Sequence, residues 1–348
     1  MLEQQYEREC RRKIAYIAVG LVMIVFFAFA FSVIGMDVPV FQSVVALKAL
    51  YTGNINDGTY AAANKIIVLL RMPRILLAVI AGVGLSVAGS IMQSITRNYL
   101  VSPFTLGVSS AAAFGASMCI VFGTSLFFQS EIGIISCAFL ASCCCGCIVY
   151  GLANKIGVKP STLVLVGIAL NYLFSAMTAT IEFFAKEHKL EAVVQWTFGS
   201  FNKATWENVL ISFIVVAIAS FVIWKYSLIL NVMASNNDEM ARSLGVNTDR
   251  IRTYGGLLAI LITSTVISFT GVIGFVGLIA PHMARFIIGT DHRFYIPFSG
   301  ILGAILLLVS DTFGKLILYP VNIPVGIVVS FLGVPLVVHL VLHKGGNY

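Results

Sequence analysis

Charge is scarce in this chain of 348 residues. Only 11% of positions are Asp, Glu, Lys or Arg, against about 25% in an ordinary soluble domain. That is too little to cover a globular surface. Repeated alternating segments of ~10 residues are missing, which argues against a transmembrane barrel. No G-x-x-x-x-G-K-[ST] string occurs, so the chain has no P-loop with which to bind ATP itself. No nucleophile–base–acid set can be assembled, and the chain reads as a non-enzyme. Low-complexity tracts and flexible linkers are also absent, so residues 1–348 read as one domain.

What fills the chain is apolar: 59% of residues are hydrophobic and the mean hydropathy is +0.96. Runs of ~20 apolar residues, each able to cross ~30 Å of hydrocarbon, recur throughout. They predict an all-α polytopic membrane protein with ten spans, near 14–35, 73–95, 104–123, 132–152, 162–184, 208–229, 252–270, 273–289, 295–317 and 324–342. The stretch 37–71 reads as an outer loop holding a partly amphipathic helix. The first run follows Arg8, Arg11, Arg12 and Lys13 in the manner of a signal peptide, but it continues past the small residues. It is read as a retained helix.

The net charge of +7 comes from cations scattered singly between apolar runs, which speaks for membrane topology and against a nucleic-acid partner. With the N-terminus inside, 14 of the 22 Lys and Arg residues fall on the cytoplasmic side and 8 outside, so both termini are expected in the cytoplasm. Seven cysteines include Cys143, Cys144, Cys145 and Cys147 in one run. Cys144 and Cys147 form a CxxC pair, yet that run offers no His, Asp or Glu to complete a zinc site. They read as small thiols packed between helices, with no metal expected.

Several strings stand out. Gly271, Gly274 and Gly277, followed by Pro281 and His282, predict a helix face stripped to backbone for close approach. Arg71-Met72-Pro73-Arg74 places Pro in a helix first turn and two cations against the helix dipole. They read either as lipid-phosphate snorkels or as an outer site for a partner's carboxylates. In the segment 233–250, Ser235 and Asp238 resemble a capping box and Gly245 suits a helix end. Met240, Ala241 and Leu244 between them predict a two-turn helix with an apolar knob, lying on its own domain or seated on a partner. Asp311 and Glu182 are the acids within or near a span. An intramembrane carboxylate supports the alternative of an ion-coupled secondary transporter, although such carriers place several ionisable or broken-helix sites near the midplane.

These strings carry a resemblance. Arg71-x-Pro73-Arg74, Gln93, Arg97-Asn98-x-Leu100, Pro103, Gly107, Gly289-x-Asp291-His292-Arg293, Asp311, Pro324-Val325-Gly326 and Gly333-x-Pro335 lie in register with one family. The chain resembles, over about 65–343, the FecCD-type permeases of ABC importers for iron-siderophores, haem and cobalamin. It departs at Tyr99, where proline is usual, at Val101, where alanine is usual, and at Lys315, where arginine is frequent.

The resemblance implies a ten-helix subunit in a bacterial cytoplasmic membrane, working as a homodimer or beside a paralogue. It implies two ABC ATPase partners, which bind the ATP and magnesium while this chain binds no cofactor, and an extracytoplasmic substrate-binding protein. It places the cytoplasmic gate at Asn98, Leu100 and Ser161. It assigns ATPase coupling to Glu239, Met240, Ala241, Leu244 and Gly245, and binding-protein docking to Arg71, Arg74 and Lys315. His282 and His292 belong to family strings rather than to a metal site. The expected cargo is an iron-siderophore or another iron complex, with haem and cobalamin behind.

Overall fold

The computed structural model describes residues 2–34, 44–46, 48, 51, 61–123, 130–235, 238–318 and 321–344. Among them the regular structure is helical. Seven helices are long and apolar enough to span a membrane. They are α1 (Leu2–Val33), α2 (Ala61–Thr96), α4 (Glu131–Ile156), α5 (Pro160–Phe184), α7 (Trp206–Lys225), α10 (Thr248–Thr270) and α12 (His292–Leu316). Shorter apolar helices are α3 (Val108–Phe122), α11 (Val276–Ile288) and α13 (Val325–Lys344). These ten match the ten expected runs to within a few residues at most ends. The described residues also form the polar or short helices α6 (Glu187–Thr197), α8 (Ser227–Ser235) and α9 (Asp238–Ser243), and a 3-10 turn at Pro103–Leu106.

The largest boundary differences are at α1 and α2, each of which begins twelve residues before its expected start, at 14 and 73. Pro73 does lie in the first turn of the α-helical segment Met72–Thr96, but that segment continues from a preceding helical turn rather than from a loop. Ile67–Arg71 form a π-helical turn in which the Met72 N–H donates to the Ile67 carbonyl. A proline inside an α-helix clashes with the carbonyl four residues back and removes one bond, and a wide turn at that point absorbs both effects. Most of 37–60, where an outer helix is expected, lies outside the described residues.

α2 is the centre of the subunit, with 83% of its most apolar window buried. It runs antiparallel to α12, and the paired positions sum to nearly the same number from end to end. Arg74 binds Asp311 at 2.7 Å, Gly82 meets Gly303, the Ser90 hydroxyl donates to Ser299 Oγ at 2.9 Å, and Ser94 Oγ lies 2.5 Å from His292 Nε2. A Cβ at Gly82 would strike the Gly303 backbone, and one at Gly303 would strike Ser86 and the Gly82 carbonyl. Lipid tails are as apolar as the side chains, so membrane helices associate through such close packing and through hydrogen bonds. α1 is peripheral: 6% of its window is buried.

The glycine triplet departs from expectation. α10 ends at Thr270, and residues 271–275 are non-helical, with Gly271 at φ +71° and Phe275 at φ +64°. The three glycines therefore do not share one helix face. Gly271 ends a helix in a left-handed conformation, and a Cβ on Gly274 would meet nothing. Gly271 is pressed on the Trp196 carbonyl, while Gly277 makes the close approach to α2, its own carbonyl pressed on Gly89. Pro281, four residues on, has no N–H to offer that carbonyl. The cysteines also differ: Cys145 is buried, its thiol 3.5 Å from the Leu106 carbonyl, whereas Cys144 and Cys147 are exposed on the outer surface of α4.

Replacing Gly303 by Val is expected to cost more than the ~1–3 kcal/mol of ordinary overpacking, because the clash is with backbone. Gly151→Val, where a Cβ meets nothing, is the matched control. Thermal unfolding of the two variants in detergent tests the difference; equal midpoints would remove the α2–α12 contact from its central place.

Candidate functional site

The predicted site residues fall into two clusters at opposite ends of α2. At one end, Arg71 and Arg74 point into the protein. Arg71 Nη1 donates to the carbonyls of Ser32 at 2.9 Å and Ile34 at 2.8 Å, at the end of α1. Arg74 forks onto Asp311, Nε to Oδ2 at 2.9 Å and Nη2 to Oδ1 at 2.7 Å, and its Nη1 reaches Asn202 Oδ1. Lys315, one turn after Asp311, binds the same carboxylate at 2.9 Å. Asp311 is almost wholly buried, and it holds two of the three expected docking cations together. Nearby, a cavity of about 540 Å³ is lined by Lys189, Trp196, Asn202, Lys203 and Asn322 among others.

At the other end, the chain leaves α2 through Arg97, which has the left-handed φ of +50°, a conformation costly for a residue with a Cβ. Two bonds compensate: Arg97 Nε donates to the Met233 carbonyl at 2.7 Å, and Nη2 binds Asp238 at 2.7 Å. The next residues close a tight turn. Asn98 Oδ1 accepts from the Leu100 N–H at 2.9 Å, and Val101 donates to the Asn98 carbonyl at 3.2 Å. Leu100 is left 60% exposed. Tyr99 lies under the Arg285 guanidinium at 3.8 Å, so a cation–π contact restrains this turn. Ser161 stands in the first turn of α5, on an exposed face shared with Leu165, Ile168 and Tyr172.

α9 and the turn that ends it carry the residues expected to couple, and one of them is displaced from expectation. Met240 and Leu244 are 56% and 62% exposed, but Ala241 is fully buried. The knob is therefore Met240 with Leu244, beside the exposed Glu239, and Ala241 anchors the opposite side. The helix ends in a Schellman motif: Gly245 donates to the Arg242 carbonyl at 2.9 Å and Val246 to the Ala241 carbonyl at 3.0 Å. Gly245, at φ +85° with nothing near its missing Cβ, is needed for backbone conformation alone. The side chain of Ser235, expected as a cap, is outside the described residues.

Asp238 instead accepts from Arg252, Nη2 to Oδ1 at 2.7 Å and Nη1 to Oδ2 at 2.8 Å. The bond from Arg252, aided by its charge and that of Arg97, holds the carboxyl below its ordinary range against the effect of partial burial. In the sequence Arg252 is simply a cation in the first turns of an apolar helix, a position that does not reveal its burial.

His292 is fully engaged. Its Nδ1 lies 2.6 Å from Asn231 Oδ1 and its Nε2 2.5 Å from Ser94 Oγ, so it joins α8, α12 and α2. Asp291 caps α12 and binds Arg293. Partial burial works to raise its carboxyl, but hydrogen bonds from Arg293 and Asn231 outweigh that and lower it to about 2.

Comparison with known proteins decides the family. The profile of the FecCD transport family matches residues 16–343. The chain belongs to the FecCD transport family. This FecCD match takes in the first helix, which the motif resemblance over 65–343 left out. The FecCD chain is 42% identical, over 80% of its length and 82% of the relative's, to a protein of Methanocaldococcus jannaschii assigned as an ABC transporter permease. It is 32% identical to the Fe(3+)-citrate import system permease of Bacillus subtilis, over 98% of this chain and 99% of that one. In fold it is similar to a solved inward-facing protein assigned as a metal-chelate type ABC transporter, with a TM-score of 0.82 and 29% identity over 94% of this chain and 98% of the other.

Two outcomes follow for this FecCD subunit. Asp311→Ala leaves the part-buried Arg74 and Lys315 without their carboxylate and is expected to cost up to about 3 kcal/mol, the low end for a broken buried pair. Replacing Arg74, Asp311 and Lys315 together by Leu should recover most of that loss in thermal unfolding; no recovery would deny that the charges are coupled. Asp291, held low by folding, contributes stability that is fully present above about pH 4 and is lost as the pH falls toward 2. The midpoint gap between the wild type and Asp291→Asn should thus be full at pH 7 and shrink below pH 4.

Proposed function

We propose that this chain is the membrane-spanning subunit of an ATP-driven importer of iron chelates, an iron-siderophore or ferric complex of that chemical class. The observation that carries the reading is the exposed Met240–Leu244 pair on a helix clamped from behind by Asp238. A solvated loop gains nothing from presenting two large apolar side chains on a fixed base, whereas a partner groove does. The family match and the ferric citrate permease among its relatives support the cargo class. ATP and magnesium bind to two separate ATPase subunits, and this chain binds neither.

The α9 end of the subunit faces the cytoplasm. Tyr6 near the chain start accepts from Arg293 at 2.8 Å, and Asp291 beside it binds Asn231 of α8, so the N-terminus and the coupling segment share one side. The Lys/Arg distribution assigns that side to the cytoplasm. The last residues, 345–348, are outside the described set, and their cytoplasmic placement rests on the span count. The chain crosses a bacterial cytoplasmic membrane ten times.

A second copy or a close paralogue covers the exposed face of α5 that carries Ser161, so that the pathway runs between two subunits. Closure of the ATPase pair moves α9, and the turns holding Asn98, Leu100 and Ser161 open or close in response, which is alternating access. On the outer face, among the described residues, the carboxylate set against Arg71, Arg74 and Lys315 is Asp311, paired with the last two. Three cations less one carboxylate leave a net +2, which suits an acidic patch on a substrate-binding protein. The donors at that face are committed internally first, so a partner's carboxylates meet the remaining field of the cluster rather than free side chains. An ion-coupled carrier is disfavoured because Asp311, its best candidate for a proton or sodium site, is tied to two cations.

Leu244→Asp places a charge at the centre of the knob. The expected result is a permease that inserts and unfolds as the wild type does, no longer co-purifies with its ATPase and does not transport. Normal assembly of the mutant complex would refute the docking role.

A further inference from the structure

We propose that Arg252 and Asp238 form a joint that connects the ATPase-docking helix directly to both turns of the cytoplasmic gate. The inference rests on the coupling and gate roles given above and adds the residues that transmit between them.

Arg252 is the largest fully buried side chain among the described residues, 1% exposed. It lies in the first turns of α10, and its guanidinium touches three separate elements. Nε donates to the Ile95 carbonyl at 3.0 Å, two residues before the αL turn that leads to Asn98 and Leu100. Nη1 donates to the Val158 carbonyl at 3.3 Å, three residues before Ser161. Nη1 and Nη2 together hold the Asp238 carboxylate at 2.8 and 2.7 Å, and Asp238 opens α9 two residues before Met240. Ile95 is among the last carbonyls of α2, which have no helical donor of their own, and Arg252 supplies one. Asp238 also grips Arg97, so the first gate turn is held twice.

This arrangement is not explained by stability alone, since a buried ion pair is often no better than apolar packing of the same size. Its distinguishing property is geometric. A planar guanidinium with five fixed donors can hold three elements in one orientation, which a lysine cannot. The clamp also lies on the Ala241 side of α9, away from the exposed Met240 and Leu244. A push received on the outer face of α9 therefore reaches Ile95 and Val158 through one rigid group.

The test uses the complete importer, with ATPase and binding protein, in vesicles loaded with its ferric chelate. Asp238→Asn keeps the size and capping capacity of the side chain and removes its charge. Arg252→Lys keeps the charge and loses the fork. For each, the expected result is normal recovery of the ATPase subunits, near-normal ATP hydrolysis, and about a ten-fold fall in cargo moved per ATP, a typical magnitude for lost coupling between sites. An unchanged ratio of transport to hydrolysis would overturn the joint, including the case where both rates fall together through poor folding. Loss of the ATPase subunits from Asp238→Asn would also overturn it, by placing Asp238 in the docking surface. Leu244→Asp, measured in parallel, separates the two readings. If that variant keeps its ATPase, the docking role itself fails; if it loses the ATPase while Asp238→Asn leaves the ratio untouched, only the joint fails.

Discussion

Where α2 crosses α12 at Gly82 and Gly303, backbone meets backbone, and the rest of the subunit is arranged around that contact. In a bilayer there is no water to drive apolar helices together, so association depends on how closely they approach and which polar groups they exchange. The seam uses both. Small residues fill its middle, serine hydroxyls bridge it at Ser90 and Ser299, and each end is closed by a polar lock: Arg74 with Asp311 at one side of the membrane, Ser94 with His292 at the other. α11 joins the same axis through Gly277 on Gly89.

The two functional clusters are the continuations of this seam beyond its locks. The outer cations surround Asp311 because α2 and α12 are antiparallel, which brings the start of one beside the end of the other. The other cluster forms because the last carbonyls of α2 lack helical donors and Arg252, in the first turns of α10, supplies one to Ile95. The seam is closely packed along its length, with a charged cluster at each end. The strained φ of Arg97 belongs to this design: a residue held in a costly conformation persists only when its surroundings over-determine it, and here Met233 and Asp238 do so.

Charge placement also separates structural from recognition roles. Arg74, Lys315 and Arg252 each contact a carboxylate within the subunit, and their first effect is to fix helices relative to one another. Leu100, Met240, Leu244 and the face of α5 are instead apolar and exposed. On the proposed function, these apolar surfaces would meet partners by shape, and the cations around Asp311 by their net field.

Hydropathy and spacing determined the architecture to a large extent. Ten apolar runs became ten apolar helices, because a polar backbone in lipid must satisfy itself within a helix and the length of each run is set by bilayer thickness. The motif strings named the right turns: Asn98 and Leu100 do sit in a tight turn, and Gly245 does end a short helix. What the linear pattern could not decide was which side chains meet across distance. Ala241 was grouped with Met240 and Leu244 because spacing defines a face but not what covers it. Gly271, Gly274 and Gly277 share a periodicity that is meaningful only inside a helix, and left-handed φ values at Gly271 and Phe275 break it. The partnership of Asp311 with Arg74 spans 237 positions and that of Arg252 with Ile95 spans 157. Such pairs are set by helix packing alone, since no local preference in either segment refers to the other.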